Sequence, residues 1–317
     1  MPIETRLFDA AGQDRAVDLE DHAVSDLSED EILWVDVQAL DDRDRERLTA
    51  TYAWDPETLD DLAQALGRAR IRIHSTYVHL TIEAITCADE LSVAEIDLLI
   101  GRNFVVTVHQ GDVPALAALD EEYRGDSRLG KLAASQFMAV LVDRVLTGYL
   151  ACVEDIERQI DRLDELALRA SGGDLLAPII ALRRRIALLR RTLAPHQAAF
   201  EPLARPDFEL HEELGQPWPG LVDRLRQTMA ATENARQLLL GAFDVLMART
   251  SQRSNQAIQT LTVVSAMFLP AAVLAGIMGM NFRLAFFDDP AGFAIVVAVM
   301  VIVALGILGL ARARRWI

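Results

Sequence analysis

The sequence predicts an α+β protein with an N-terminal α/β cytosolic domain, a long helical stalk and a C-terminal hairpin of two transmembrane helices. Three observations lead there. Runs of β-branched and aromatic residues are confined to the first third of the chain, apolar residues at three- and four-residue spacing take over from about Leu129, and two charge-free apolar stretches close the sequence. The expected sections are residues 1–125, 126–257 and 258–317, with membrane spans at about 260–280 and 291–311.

In the first section, residues 31–37 (Glu-Ile-Leu-Trp-Val-Asp-Val), 69–86 and 92–109 have strand composition. Val78, Leu80, Ile82 and Ala84 alternate with Tyr77, His79, Thr81 and Glu83, the period of a half-buried strand. Gly101-Arg102-Asn103 supplies a hairpin turn. Helices are expected around 41–52 and 56–67; the second opens with Asp55-Pro56-Glu57, where the missing N–H of Pro56 costs no helical hydrogen bond. The six histidines show no metal-ligand spacing, and His79 and His109 are expected at the surface or the core edge. Cys87 and Cys152 are too few for a disulfide framework or a zinc site, so reduced core residues are expected.

The stalk follows. Phe137, Val140, Leu141, Val145, Leu146, Leu150, Val153, Ile156, Ile160, Leu163 and Leu166 keep helical spacing over many turns. Ser171-Gly172-Gly173-Asp174 is a break with a cap, and a second helix runs from about Leu175 to Leu193 or beyond, with Arg183-Arg184-Arg185 and Arg190-Arg191 on a solvated face. After a linker bearing Pro202, Pro206, Pro217 and Pro219, a last stalk helix begins near Leu221. Between Leu221 and Pro270 the only glycine is Gly241 and there is no proline, so one helix of about 60 residues, on the order of 90 Å, is expected to continue into the first span.

No charge occurs between Arg253 and Arg283, and Leu261 to Met280 is almost wholly apolar, the length that crosses a hydrocarbon core. A second charge-free run, Pro290 to Ala311, follows a short loop. Arg249, Arg253, Arg312, Arg314 and Arg315 flank the spans on one side, whereas the loop holds Arg283 beside Asp288 and Asp289; the positive-inside bias puts both termini in the cytoplasm of a plasma-membrane protein. Met1-Pro-Ile-Glu-Thr-Arg leads into acidic sequence, so no signal peptide is expected. Of the acidic residues only Asp288 and Asp289 lie beyond Arg249, which places almost all of the net charge of -16 before the spans and excludes nucleic acid as a partner. No nucleophile elbow, phosphate loop or paired catalytic motif is present, and no enzymatic activity is expected.

At 100° per residue, Asn255, Ile258, Thr262, Ser265, Ala266, Leu269, Val273, Gly276 and Met280 form one small or mildly polar stripe. Val263, Val264, Met267, Phe268, Leu274 and Met278 fall largely on the other side. Such a stripe serves either tight helix packing or a pore lining. A hairpin of two spans cannot enclose a water-filled path alone, so copies of the same chain are the expected neighbours within the lipid.

Several segments carry a family resemblance. Asn255-Gln-Ala-Ile-Gln-Thr-Leu-Thr, Phe268-Leu269-Pro270, Ala275-Gly276-Ile277-Met278-Gly279-Met280-Asn281-Phe282 and Arg314-Arg315-Trp316-Ile317 resemble the CorA-type divalent-cation transporters, most strongly over residues 240–317. The resemblance implies a funnel-shaped homopentamer whose first span lines the pore. It also implies that Gly279, Met280 and Asn281 recruit hydrated magnesium at the outer mouth, with Asn255 at the inner end and Leu269 in a hydrophobic constriction. Magnesium gives up its water reluctantly, so neutral amide and carbonyl oxygens hold its shell without trapping it. The family's cytosolic regulatory magnesium, held between neighbouring subunits, would fall to Asp244 or Asp223; no other cofactor is implied.

The sequence departs from the family where a Met-Pro-Glu segment usually follows Asn-Phe; here Arg283 stands beside the mouth and opposes cations, with Asp288 and Asp289 in place of the acidic residue. Met280 favours magnesium, with cobalt or nickel as further cargo, over the related ZntB-type zinc branch, although Leu189-Arg190-Arg191-Thr192-Leu193-Ala194-Pro195 resembles that branch. No Cys or His lies in either span to bind zinc, and no buried Asp, Glu or His relay exists for protons, so passive influx is expected. The alternatives are a proton-coupled zinc transporter and a membrane-anchored sensor without conduction.

Overall fold

The computed structural model describes residues 3–9, 15–19, 27–28, 31–52, 54–65, 67–87, 91–123, 133–169, 175–205, 218–280 and 290–314. They form two compact units, residues 1–241 and 242–317. The first holds strands β1 (Glu4–Asp9), β2 (Arg15–Ala16), β3 (Glu31–Gln38), β4 (Arg70–Ile73), β5 (Val78–Cys87), β6 (Leu91–Ile100) and β7 (Phe104–His109). With them come helices α1 (Asp42–Thr51), α2 (Pro56–Leu62), α3 (Pro114–Tyr123), α4 (Ala134–Arg169) and α5 (Leu176–Phe200), then a 3-10 turn at Pro202–Ala204. Helix α6 (Trp218–Met278) begins in this unit and continues into the second, which also contains α7 (Pro290–Ala313).

The seven strands form one sheet in the order β2-β1-β3-β7-β6-β5-β4. Only β3 and β7 run parallel, with Leu33 opposite Phe104 and Val35 opposite Val106. The β6–β7 hairpin turns at residues 101–103, as Gly101-Arg102-Asn103 predicts. Residues 69–86 divide into β4 and β5, paired antiparallel, with His74 N–H donating to the Tyr77 carbonyl at 3.0 Å across the turn. The edge pair β1–β2 and helix α3 are elements that the sequence pattern did not reveal.

Local chemistry sets the helix starts. Asp41 caps α1 by accepting from the Asp44 N–H at 2.7 Å, and Asp55 caps α2 by accepting from the Glu57 N–H at 3.0 Å, with Pro56 in the first turn. Helix α2 ends at Leu62, short of the expected residue 67, where Gly67 turns the chain with φ of 64°. The 61 residues of α6 match the single long helix expected from the absence of breakers. Ser171-Gly172-Gly173-Asp174 and much of the proline linker lie outside the described residues.

Both faces of the sheet are covered. On one, α1 and α2 bury Leu48, Tyr52, Leu59 and Leu62 against Leu33, Val35, Leu99, Val106 and Val108. On the other, α4 brings Phe137 within 5.3 Å of Trp34, ring centre to ring centre. Leu80, Ile82, Ile96 and Leu98 are fully buried.

This double cover corrects the reading of β5 as half-buried, since its first eight residues are all buried. It also corrects the placement of His79 and His109, which are 1% and 6% exposed. Each histidine is tolerated because a carboxylate meets it: His79 Nε2 lies 2.8 Å from Asp97 Oδ1, and His109 Nε2 lies 3.4 Å from Asp36 Oδ1. Burial pushes His109 down, but the hydrogen bond and charge of Asp36, with the Gly111 carbonyl at Nδ1, outweigh it and raise its pKa.

The cysteines require a further correction. Cys87 at the end of β5 and Cys152 in α4 form a disulfide, with Cα atoms 5.5 Å apart and a sequence separation of 65. Sequence separation carries no information about this approach, which arises because α4 crosses the end of β5. Beyond β4, the exposed backbone edge of β5 is capped from the same side: Tyr149 Oη donates to the Glu83 carbonyl at 2.9 Å, and the Glu83 N–H donates to His196 Nε2 at 3.1 Å. His196 donates from Nδ1 to the Thr192 carbonyl at 3.0 Å. Full burial holds its pKa down to about 4, which keeps Nε2 free to accept.

Candidate functional site

The candidate site is built on the last turns of α6. Among the described residues three helices are long and apolar enough to cross a membrane: α4, α6 and α7. Half of the α4 window is buried, against 6% for α6 and none for α7. The apolar residues of α4 are therefore accounted for by the sheet. Ile258, Leu261, Phe268, Leu269, Val273 and Ile277 of α6, with Phe293, Ile302 and Leu305 of α7, stand exposed and require lipid or other protein around them.

The stripe read from the sequence lies on the more exposed side of α6. Asn255, Ile258, Thr262, Ser265, Leu269, Val273, Gly276 and Met280 are exposed and Ala266 is half-buried; Gly279, beside the stripe, is exposed too. On the other side Val263 is buried, and Met267, Leu274 and Met278 are partly covered, while Val264 and Phe268 stay exposed. Thr262 turns its hydroxyl back onto the Ile258 carbonyl at 2.8 Å, which satisfies the donor within the helix.

At the end of the helix the Gly279 N–H donates to the Ala275 carbonyl at 3.0 Å and the Met280 N–H to the Ile277 carbonyl at 3.2 Å. A Cβ at Gly276 would meet nothing within 4 Å among the described residues, and one at Gly279 would meet only two carbonyl oxygens at 3.5 Å. Packing among the described residues does not demand glycine at either position. Asn281, Arg283, Asp288 and Asp289 lie outside the described residues.

Asp223 and Asp244 are both exposed on α6; Asp223 accepts from Arg226 Nη1 at 3.0 Å, three residues on. Among the described residues no three His, Cys, Asp or Glu side chains converge as a metal-ligand set. The structure does assemble an acidic group that spacing did not indicate. Register places Glu83 directly opposite Glu95 on β5 and β6, with Asp97 two residues along, and all three line a cavity of about 260 Å³ beside Gly67. The alternation of β5 gave the face of Glu83, but only strand pairing shows its partner.

The Glu95 carboxylate accepts from the Gly67 N–H at 2.6 Å, and Asp97 from Thr81 Oγ1 at 2.6 Å. Burial first, and the Glu95 charge second, raise the Glu83 pKa from 4.5 to about 7, with Arg191 partly opposing them. A carboxyl that holds its proton more tightly when folded stabilises the fold below pH 4.5 and loses that contribution as pH rises through about 7. Glu83→Gln is expected to flatten this dependence. At pH 8 the variant should be more stable than the parent by up to about 3 kcal/mol, with little difference at about pH 4. Denaturant unfolding of the full chain in detergent at both pH values checks it; equal curves at pH 8 would refute the assignment.

Comparison with known proteins agrees with this architecture. The CorA-like Mg2+ transporter protein family model matches residues 29–310. The cobalt/magnesium transport protein CorA of Thermotoga maritima is 23% identical over 291 residues, covering 90% of this chain and 83% of that protein. The complete structure of the CorA magnesium transporter from Methanocaldococcus jannaschii superposes with a TM-score of 0.81 at 17% identity, covering all of both chains. The full-length CmaX structure gives 0.76 at 23% identity, covering 99% of this chain and 98% of that one. With a family match over most of its length and a helix that carries no charge from Arg253 on to Gly279-Met280, the chain belongs to the CorA-like Mg2+ transporter family.

Proposed function

We propose that this chain carries divalent cations, magnesium first and cobalt or nickel in addition, through a membrane pore built by several copies of itself. The observation that carries the reading is the α6 stripe. It runs without charge from Asn255 to Met280, small and mildly polar, on a side of the helix that the described residues leave largely exposed. Other copies would cover that stripe and lipid the bulky apolar residues of α7, and a homopentamer is the assembly we infer.

In this arrangement α6 lines the path, Asn255 stands at the inner end, Leu269 forms a constriction, and Gly279, Met280 and Asn281 face the hydrated ion at the outer mouth. Gly279 then has a role that packing among the described residues does not supply, since it lets backbone oxygens approach the ion's water shell. Arg283 opposes the approach of cations and Asp288 with Asp289 favours it. Both termini lie in the cytoplasm, following the arginines that flank the spans. Asp223 and Asp244 are the proposed cytosolic magnesium ligands between neighbouring copies, acting through water. Two charges moving inward through 100 mV gain about 4.6 kcal/mol, so influx needs no proton coupling.

Purified protein in liposomes, held at fixed potential and pH, tests the reading. Magnesium uptake driven by potential alone is the expected result. Zinc uptake that requires a pH gradient would move the chain to proton-coupled zinc transport, and no uptake of either metal would support a sensor.

A further inference from the structure

The structure joins two sulfurs in a unit that the proposed topology places where thiols are kept reduced. A cysteine pair held in bonding geometry in such a compartment is governed by the ambient redox poise rather than locked in one state. Cys152 is fully buried in α4, whereas Cys87 at the end of β5 is only partly covered and is the sulfur that a small thiol reaches. A cation stands beside it: Arg185 Nη2 of α5 lies 3.8 Å from Cys87 Sγ. The same nitrogen donates to Asp155 Oδ2 at 2.8 Å, three residues beyond Cys152 on α4, and this bond holds the guanidinium in place and the Asp155 carboxyl below its usual range. A neighbouring guanidinium stabilises a thiolate, the form that leaves and attacks in disulfide exchange.

We propose that Cys87 and Cys152 are a reversible redox-modification site, a thiol pair that exchanges with small thiols and disulfides and, when oxidised, fastens α4 to the end of β5. In reduction, a small thiolate attacks Cys87 Sγ, the bond to Cys152 breaks, and Cys152 leaves with the electron pair and takes a proton from solvent. A second small thiolate attacks the small-molecule sulfur of the mixed disulfide, forming a small disulfide and releasing Cys87 as a thiolate beside Arg185. Two small thiols are oxidised and one protein disulfide is reduced to two thiols; a small disulfide drives the reverse. Once the link opens, β5 is tied to α4 there by the Tyr149 hydrogen bond to Glu83, and α4 gains freedom against the sheet. The choice of compartment rests on the topology proposed above, but the exchange chemistry and its readout do not involve transport.

The test uses the full-length protein in detergent, equilibrated with glutathione and glutathione disulfide mixtures, acid-quenched, then unfolded in denaturant and labelled with a maleimide–polyethylene glycol. Both thiols should label in reducing mixtures and neither in oxidising ones, reversibly, with the fold retained by circular dichroism. Amide exchange at the end of β5 and in the α4 turns around Cys152 should rise about tenfold on reduction. Arg185→Gln should slow reduction by about three- to tenfold while Arg185→Lys restores it, which separates thiolate stabilisation from a general loss of folding. Labelling of neither thiol at any glutathione ratio, labelling of both thiols in every mixture, or unchanged kinetics in Arg185→Gln would overturn the proposal.

Discussion

Replacement of Asn281 by alanine is expected to lower magnesium uptake into liposomes more than 100-fold while leaving assembly and protein yield unchanged. Loss of one neutral hydrogen bond costs about 0.5–1.5 kcal/mol. In a pore built from identical copies the loss repeats around the ring, so a few kcal/mol accumulate at the step where the hydrated ion is captured, and each 1.4 kcal/mol is a factor of ten. Asn281→Asp should behave differently from alanine, because a charged ring binds magnesium harder and slows its release. A magnesium-sensitive dye inside the liposomes, read at a fixed imposed potential, reports both variants. Parental flux in Asn281→Ala would remove the Gly279-Met280-Asn281 segment from the conduction path.

The second large effect concerns stability. Cys87→Ala/Cys152→Ala should lower stability by about 4 kcal/mol, since a cross-link over 65 residues removes that much chain entropy from the unfolded state. For a unit of this size the melting temperature should fall by roughly 8–16 °C. Thiol reduction of the parent provides the control for cavities left by the substitutions, because it opens the same loop without removing atoms. The reduced parent should melt close to the double variant. Oxidised and reduced parents that melt together would show that the link does not hold the fold.

The two predictions draw on different sources of information. The long apolar helices were legible because their signal is local: a run without charge, twenty residues long, is read from neighbouring residues alone. The Asp55-Pro56 helix start, the Gly101-Arg102-Asn103 turn and the long uninterrupted α6 were legible for the same reason, being set by residues within a few positions of one another. The stripe from Asn255 to Met280 was legible as a helical face, and the fold adds that the described residues leave it largely exposed.

His79, His109 and the cysteines were misplaced by local reasoning, and one physical cause covers all of them. Alternation reports that a strand has two unlike faces but cannot say whether a second layer covers the polar one. Here α1 and α2 pack over one face of the sheet and α4 over the other, so polar residues of β5 and β7 are buried and survive by pairing with Asp97 and Asp36. Glu83 meets Glu95 through strand register, and Cys87 meets Cys152 through the crossing of α4. The sequence by itself determined the apolar helices, their charge-free length and the face that they present, because hydrophobic length and period act locally. Only the tertiary structure decided which polar groups share a buried space and which sulfurs touch, because those pairings depend on layers of the fold that lie far apart along the chain.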